Sequence, residues 1–182
     1  MDQQVLNIHE ELIERCRGGE RSAFYSIYKL YSKAMYNLCY RITNDQDDAS
    51  DALQEAFISA FNNLDSYRGD ATFGAWLKRI VVNKAINVLK KRRFETLPED
   101  EHWDVAEETR QEELQYGELT VQTVKTAIQQ LPEGYRAVLS LYLLEGYDHQ
   151  EIGEILGVSE STSKSQLNRA KKKLREILTQ KL

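Results

Sequence analysis

Lys164, Ser165, Asn168 and Arg169 recur at one-, three- and four-residue steps, so a helix would carry them on a common face. Their chemistry is that of base-edge recognition in a DNA major groove. Arg and Lys pair with guanine, Asn with adenine, and Ser with base or phosphate. Ser161 and Thr162 precede them in what would be the first turn of the same helix. Lys172 follows, within a run of Lys171, Lys173 and Arg175 suited to phosphate contacts and salt-dependent affinity. A second set lies upstream. Arg79, Asn83, Asn87 and Lys90 form a polar stripe at helical spacing, and the preceding stretch "NLDSYRGD" supplies Tyr67 and Arg68. An aromatic ring beside a cationic stripe suits single-stranded DNA: the ring stacks on a base while the charges track phosphates. Trp76 could stack as well, although its spacing against the apolar residues favours packing.

The elements that must hold these residues read as helices throughout. Apolar side chains recur at three- and four-residue steps from Leu12 to Leu38, interrupted by Gly18 and Gly19. "TNDQDD" is a turn with helix-capping residues. In the helix after it, Ala49, Leu53, Ala56, Phe57, Ala60 and Phe61 lie opposite Asp48, Asp51, Gln54 and Glu55. Thr72 is a candidate cap for the next helix, whose expected core face is Phe73, Leu77, Ile80, Val81 and Val88. Near the C-terminus the pattern predicts a short helix over Gln150–Leu156, a stop at Gly157, and a long basic helix capped by Ser159. That unit is a helix-turn-helix, whose second helix would enter the major groove by its N-terminal turns. With no sustained period-two alternation, the expected fold is all-α: helical modules over 8–94 and 119–180, joined by an acidic linker over 95–118.

Charge is distributed in blocks. The formal net charge is -5, yet residues 71–94 contain seven Lys and Arg and no acid. Residues 95–118 then hold ten acidic side chains against Arg110 alone. The final helix is basic again. Blocks of this kind point to a polyanionic partner. His9, His102 and His149 are scattered without metal-ligand spacing, and no nucleophile–base constellation occurs. Cys16 and Cys39 fit buried free thiols. The N-terminus has no signal-peptide pattern and no apolar run reaches about 18 residues; the expectation is a cytoplasmic protein without membrane insertion, enzymatic activity or cofactor.

Two stretches, "DDASDALQEAFISAFNNLDSYRGDATFGAWLKRIVVNKAINVLKKRR" and "LPEGYRAVLSLYLLEGYDHQEIGEILGVSESTSKSQLNRAKKKL", resemble the two halves of an extracytoplasmic-function (ECF) sigma factor of the sigma-70 family, group IV. The resemblance implies a specific division of labour. Asp48, Asp51, Gln54 and Glu55 would dock on the β′ clamp coiled coil of core RNA polymerase. Tyr67, Arg68, Trp76, Arg79, Asn83 and Lys90 would engage the −10 element, with Tyr67 and Asn83 holding a flipped-out base. Ser161, Thr162, Lys164, Ser165, Asn168, Arg169 and Lys172 would serve −35 recognition. The second module would also meet the β flap, and the acidic linker would thread polymerase channels. An anti-sigma factor is an expected further partner. Three positions depart from the family pattern: Gly153 stands where alanine is usual, Ser163 where a valine commonly packs, and Ser161 where glycine is frequent. Ser163 is expected to hydrogen-bond a backbone carbonyl.

The alternative is a helix-turn-helix repressor or activator acting on duplex operators, with residues 1–94 as a sensing or dimer module. The Tyr67-to-Asn83 block argues against it, because a duplex reader has no need of a base-capture loop.

Overall fold

The computed structural model describes residues 2–96 and 120–180, with side chains described for 9–92 and 120–180. The acidic stretch expected to act as linker lies, apart from its first two residues, outside them. All regular structure among the described residues is helical, and none of these helices is long and apolar enough to cross a membrane. The chain divides into two compact units, Met1–Lys90 and Lys91–Leu182.

The first unit contains α1 (Asp2–Arg17), α2 (Arg21–Thr43), α3 (Gln46–Asn62) and most of α4 (Phe73–Thr96). The turn between α1 and α2 uses Gly19 at φ 79, a conformation that costs a residue with a Cβ. Across that turn Arg15 Nε donates to Glu20 Oε2 (2.8 Å), and this hydrogen bond holds the Glu20 carboxyl down at about 2. Asn44 closes α2 in the left-handed region, and the Asp45 carboxylate then accepts from the amides of Asp47 and Asp48 to start α3. Ala49, Ala52, Ala56 and Ala60 are fully buried along one side of α3, so only methyl groups separate its backbone from what packs there. Phe57 and Phe61 meet Tyr28 and Phe24 of α2 edge to face, each pair 4.9 Å between centroids. Cys16 and Cys39 are buried free thiols, pushed by that burial to about 11 and about 12. Both are therefore protonated and inert at neutral pH.

The core face of α4 is rotated from the expected one. Phe73, Leu77 and Val81 are buried as anticipated, but Val82, Ala85, Ile86 and Leu89 complete the face, whereas Ile80 and Val88 are half-exposed. The buried arc is wider than a wheel of large residues suggests because Ala85 also turns inward, where a methyl suffices. Fully burying each aliphatic side chain is worth about 1.5–3 kcal/mol. An exposed ion pair such as Arg17–Glu14 contributes about 0–1. Apolar burial, not surface charge, sets the rotation of the helix.

The second unit contains α5 (Val121–Gln129), α6 (Glu133–Leu139), α7 (His149–Leu156) and α8 (Glu160–Thr179). Thr120 caps α5. Arg136 is buried and donates from Nη1 to the Leu131 carbonyl (2.8 Å), filling the bend after α5. A π-turn over Ser140–Leu144 follows α6 directly, a feature that hydrophobic periodicity does not signal. The helix-turn-helix forms as expected, with α7 one residue longer at its start. Asp148 and Glu151 cap α7 reciprocally (2.8 and 2.9 Å). Gly157 ends it at φ 75, and Ser159 Oγ accepts from the Thr162 amide (3.1 Å) to begin α8.

The glycine at 153 is explained by this turn. A Cβ there would stand 2.7 Å from the Val158 carbonyl oxygen, so the approach of the turn to α7 leaves no room for alanine. Gly153→Ala is expected to destabilise the second unit by about 1–3 kcal/mol, the usual cost of forcing an overpacked site apart. Urea denaturation followed through circular dichroism measures it; an unchanged midpoint would contradict the close approach.

Candidate nucleic-acid interfaces

In the first unit the stripe of α4 emerges on solvent. Arg79, Asn83, Asn87 and Lys90 are all exposed, opposite the buried Leu77, Val81 and Ala85. Lys84, part of the same cationic segment, does not join them. Its ammonium turns toward α3 and sits 3.5 Å from the Glu55 carboxylate.

Tyr67 is not the free-standing ring that its loop position suggests. It is half-buried, with its centroid 5.5 Å from Phe73 at 90° and 5.5 Å from Trp76 at 51°. Its hydroxyl donates to the Ala71 carbonyl (2.8 Å). Burial, reinforced by the charge of Glu10 and opposed by Arg17, raises its pKa, so it remains a neutral phenol. Trp76 is half-buried against Tyr67 and Phe73, which fits the packing role, yet it sits three residues before Arg79 and borders the stripe. Behind them Tyr31 packs on Phe73, and its hydroxyl lies 3.1 Å from His9 Nδ1. Gly74 permits this, since a Cβ there would approach Tyr31 Cε1 to 3.1 Å. Arg68 is exposed on the same loop.

The acidic face of α3 exposes Asp51, Gln54 and Glu55, while Asp48 is half-buried near the helix start. Beside it lies a groove of about 690 Å³ between α2 and α3, lined by Tyr28, Tyr36, Leu53, Phe57, Ile58 and Phe61, with Gln54 and Lys33 also on it. Of its lining residues, Tyr28 and Ile58 expose large apolar surfaces. Sequence reasoning missed this groove. The available signal was the number of aromatics on α2 and α3, more than one buried face can absorb.

In the second unit α8 separates its faces cleanly. Ser163, Gln166, Leu167 and Ala170 are buried; Ser161, Lys164, Asn168 and Lys172, at steps of three and four, are exposed together. Thr162, Ser165 and Arg169 are half-buried along one border of that face. Ser165 Oγ donates to the Thr162 carbonyl (3.0 Å), and Lys164 Nζ pairs with Glu160 (2.6 Å) one turn back. That exposed pair is worth about 0–1 kcal/mol, less than the about 1–3 kcal/mol of a good contact to a base edge. Lys164 can therefore be drawn away to DNA at little cost.

Ser163 does not bond a backbone carbonyl as expected. It is fully buried, and its hydroxyl lies 2.9 Å from His149 Nδ1, joining the first turn of α7 to α8. Tyr142 of the π-turn stacks on the imidazole (4.6 Å, 20°), and Lys171 Nζ stands 5.9 Å over the tyrosine ring. A polar contact thus occupies a position that an apolar side chain could fill. Desolvation lowers the pKa of His149, and Lys164 and Lys171 lower it further against the opposing charges of Glu160 and Asp148.

Residues 27–95 match the family model for Sigma-70 region 2, and residues 120–174 that for Sigma-70, region 4. The ECF RNA polymerase sigma factor SigE of Mycolicibacterium smegmatis is 32% identical over 166 residues, covering 88% of this chain and 64% of its own length. The ECF RNA polymerase sigma factor SigW of Bacillus subtilis is 31% identical over 176 residues, covering 91% and 94%. The chain thus spans less than two thirds of the first relative and nearly all of the second. Among solved structures, the sigma factor RpoE of Bartonella quintana, crystallised with the anti-sigma factor NepR, aligns with a TM-score of 0.56 at 26% identity, over 86% of this chain and 96% of that one.

The surroundings of His149 set a pH dependence. Its folded pKa lies below the unfolded value of about 6.5, so the unfolded chain takes up the proton first. Stability is greatest above that value and falls as pH drops through it toward the folded pKa. Thermal melts of the full chain between about pH 7.5 and 5.5 are expected to show a smaller decline for His149→Asn than for the parent. Parallel declines would mean that this imidazole is not held neutral.

Proposed function

The chain belongs to the sigma-70 family as an ECF sigma factor, an alternative sigma factor for promoter-specific transcription, and on that premise we propose how its surfaces divide the work. Residues 8–94 form a region-2-like domain for core-polymerase binding, −10 recognition and strand opening. Residues 95–118 are an acidic linker, and residues 119–180 a region-4-like domain for −35 recognition. The observation that carries this reading is the separation of faces on α4 and α8. Each presents cationic and amide side chains to solvent directly opposite its buried face.

At the −10 element, Arg79, Asn83 and Lys90 meet the DNA strand, with Arg68 at its entrance. Tyr67 and Trp76 offer their exposed edges to a base. Extruding that base costs a few kcal/mol of stacking and pairing, which a closely fitted site can offset. At the −35 element, Lys164, Asn168 and Arg169 read base edges, and Ser161, Thr162, Ser165 and Lys172 add polar and phosphate contacts. The helix-turn-helix geometry supports this assignment, with α8 as the recognition helix.

Core polymerase is the partner of the acidic α3 face through the β′ clamp coiled coil, and of the second domain through the β flap. The neighbouring aromatic groove supports a protein partner on this side, since apolar patches of this kind mark interaction surfaces. RNA synthesis itself is the polymerase's chemistry. Anti-sigma control is supported by the Bartonella relative, which was crystallised with one. The site of action is the cytoplasm, where promoter and polymerase are.

Transcription in vitro with core polymerase and a promoter library is the direct test. Initiation at specific sites only when the protein is added is the expected result. Duplex binding that ignores polymerase would favour a repressor instead. Within that assay Lys164→Ala with Arg169→Ala should cost about 1–3 kcal/mol per lost contact at the upstream element and leave polymerase affinity unchanged. Asn83→Ala should slow strand opening, read by permanganate reactivity, more than it weakens duplex association. Equal loss of both would count against its assigned role.

A further inference from the structure

Taking Tyr67 and Asn83 as the base-capture residues, as above, we propose that Arg17 is a positioning residue for that capture: from α1 it braces the main chain of the loop that carries Tyr67. Arg17 Nη2 donates to the Tyr67 carbonyl at 2.6 Å and reaches the Leu64 carbonyl at 3.5 Å. It spans about fifty positions of sequence to do so. The loop needs such a brace. Between α3 and α4 it has a single helical turn, Leu64–Ser66, then residues with no regular structure, including Gly69 at φ 82. Its own hydrogen bonds are short-range: Ser66 amide to Asn63, Tyr67 amide to Leu64, and Tyr67 hydroxyl to Ala71. Among the described residues, the hydrogen bonds that reach it from another helix are those of Arg17.

The charge environment of Arg17 fits bracing better than DNA contact. Its guanidinium is paired with Glu14 and lies 3.9 Å from Asp65, so carboxylates of the protein already flank its charge. Charge-assisted donation to a carbonyl is among the stronger hydrogen bonds and fixes a planar geometry. With its main chain held, the loop meets the base already ordered, and the ordering cost of binding falls. Arg17 therefore acts through Tyr67, without touching DNA.

The test uses the full chain assembled with core polymerase. The probe is a fluorescent single-stranded oligonucleotide carrying the non-template −10 strand of a promoter selected by transcription in vitro. Arg17→Ala is expected to weaken its binding about tenfold, with the salt dependence of affinity unchanged and −35 duplex binding unchanged. Arg17→Lys, which keeps the charge and one donor, guards against a variant that fails to fold, and is expected to fall between the two with the parent melting temperature. Asn83→Ala, run alongside, reports on the underlying reading. If Asn83→Ala weakens binding while both Arg17 variants bind like the parent, the brace is wrong. A salt slope reduced by about 0.7 in Arg17→Ala would place Arg17 on a phosphate and overturn the positioning role. If Asn83→Ala binds like the parent, the base-capture reading itself fails, and the brace falls with it.

Discussion

Burial of one face fixes the rotation of α4 and of α8 about its own axis, and the proposed DNA contacts depend on that rotation. On α4 the buried line through Phe73, Leu77, Val81 and Ala85 leaves Arg79, Asn83, Asn87 and Lys90 outward. On α8 the buried Leu167, Ala170 and Leu178, with the polar Ser163 and Gln166 buried beside them, do the same for Lys164, Asn168 and Lys172. The energetic scale favours this order of cause. Several aliphatic side chains at about 1.5–3 kcal/mol each outweigh any surface ion pair. The polar residues do not choose their face; they inherit the one left over.

Electrostatics then sorts the cations into two groups. Some tie one part of the fold to another: Lys84 to Glu55 of α3, Arg15 to Glu20 across the α1–α2 turn, and Arg17 to two loop carbonyls. Others have an exposed partner on their own helix, as Lys164 has Glu160. A basic segment in sequence is therefore not a basic surface of the same size. The acidic side chains that answer these charges locally also include Glu55, one of the residues assigned to polymerase docking. That docking would have to share Glu55 with the ion pair that ties α3 to α4.

The helix-turn-helix shows how unusual residues fit a common geometry. Gly153 lets the Val158 carbonyl come to a position that a methyl would occupy. Ser163 gives up apolar packing, and His149 completes the contact with a hydrogen bond under the Tyr142 ring. These positions form one small network between α7, α8 and the π-turn. Read singly against a family pattern, each is a departure. Read as contacts, each is satisfied by its neighbours.

The sequence alone determined the all-helical class, the helix-turn-helix with its stop at Gly157 and cap at Ser159, and the polar stripes of α4 and α8. These follow from local periodicity and capping chemistry, which a chain writes into adjacent residues. The π-turn at Ser140–Leu144, the inward turn of Ala85, the aromatic groove between α2 and α3, the seating of Tyr67 on Phe73 and Trp76, and the reach of Arg17 to the Tyr67 carbonyl were decided by tertiary structure. Each depends on residues far apart in the chain meeting, or on a backbone adjusting to what packs against it. Spacing along a single helix cannot encode which neighbour arrives.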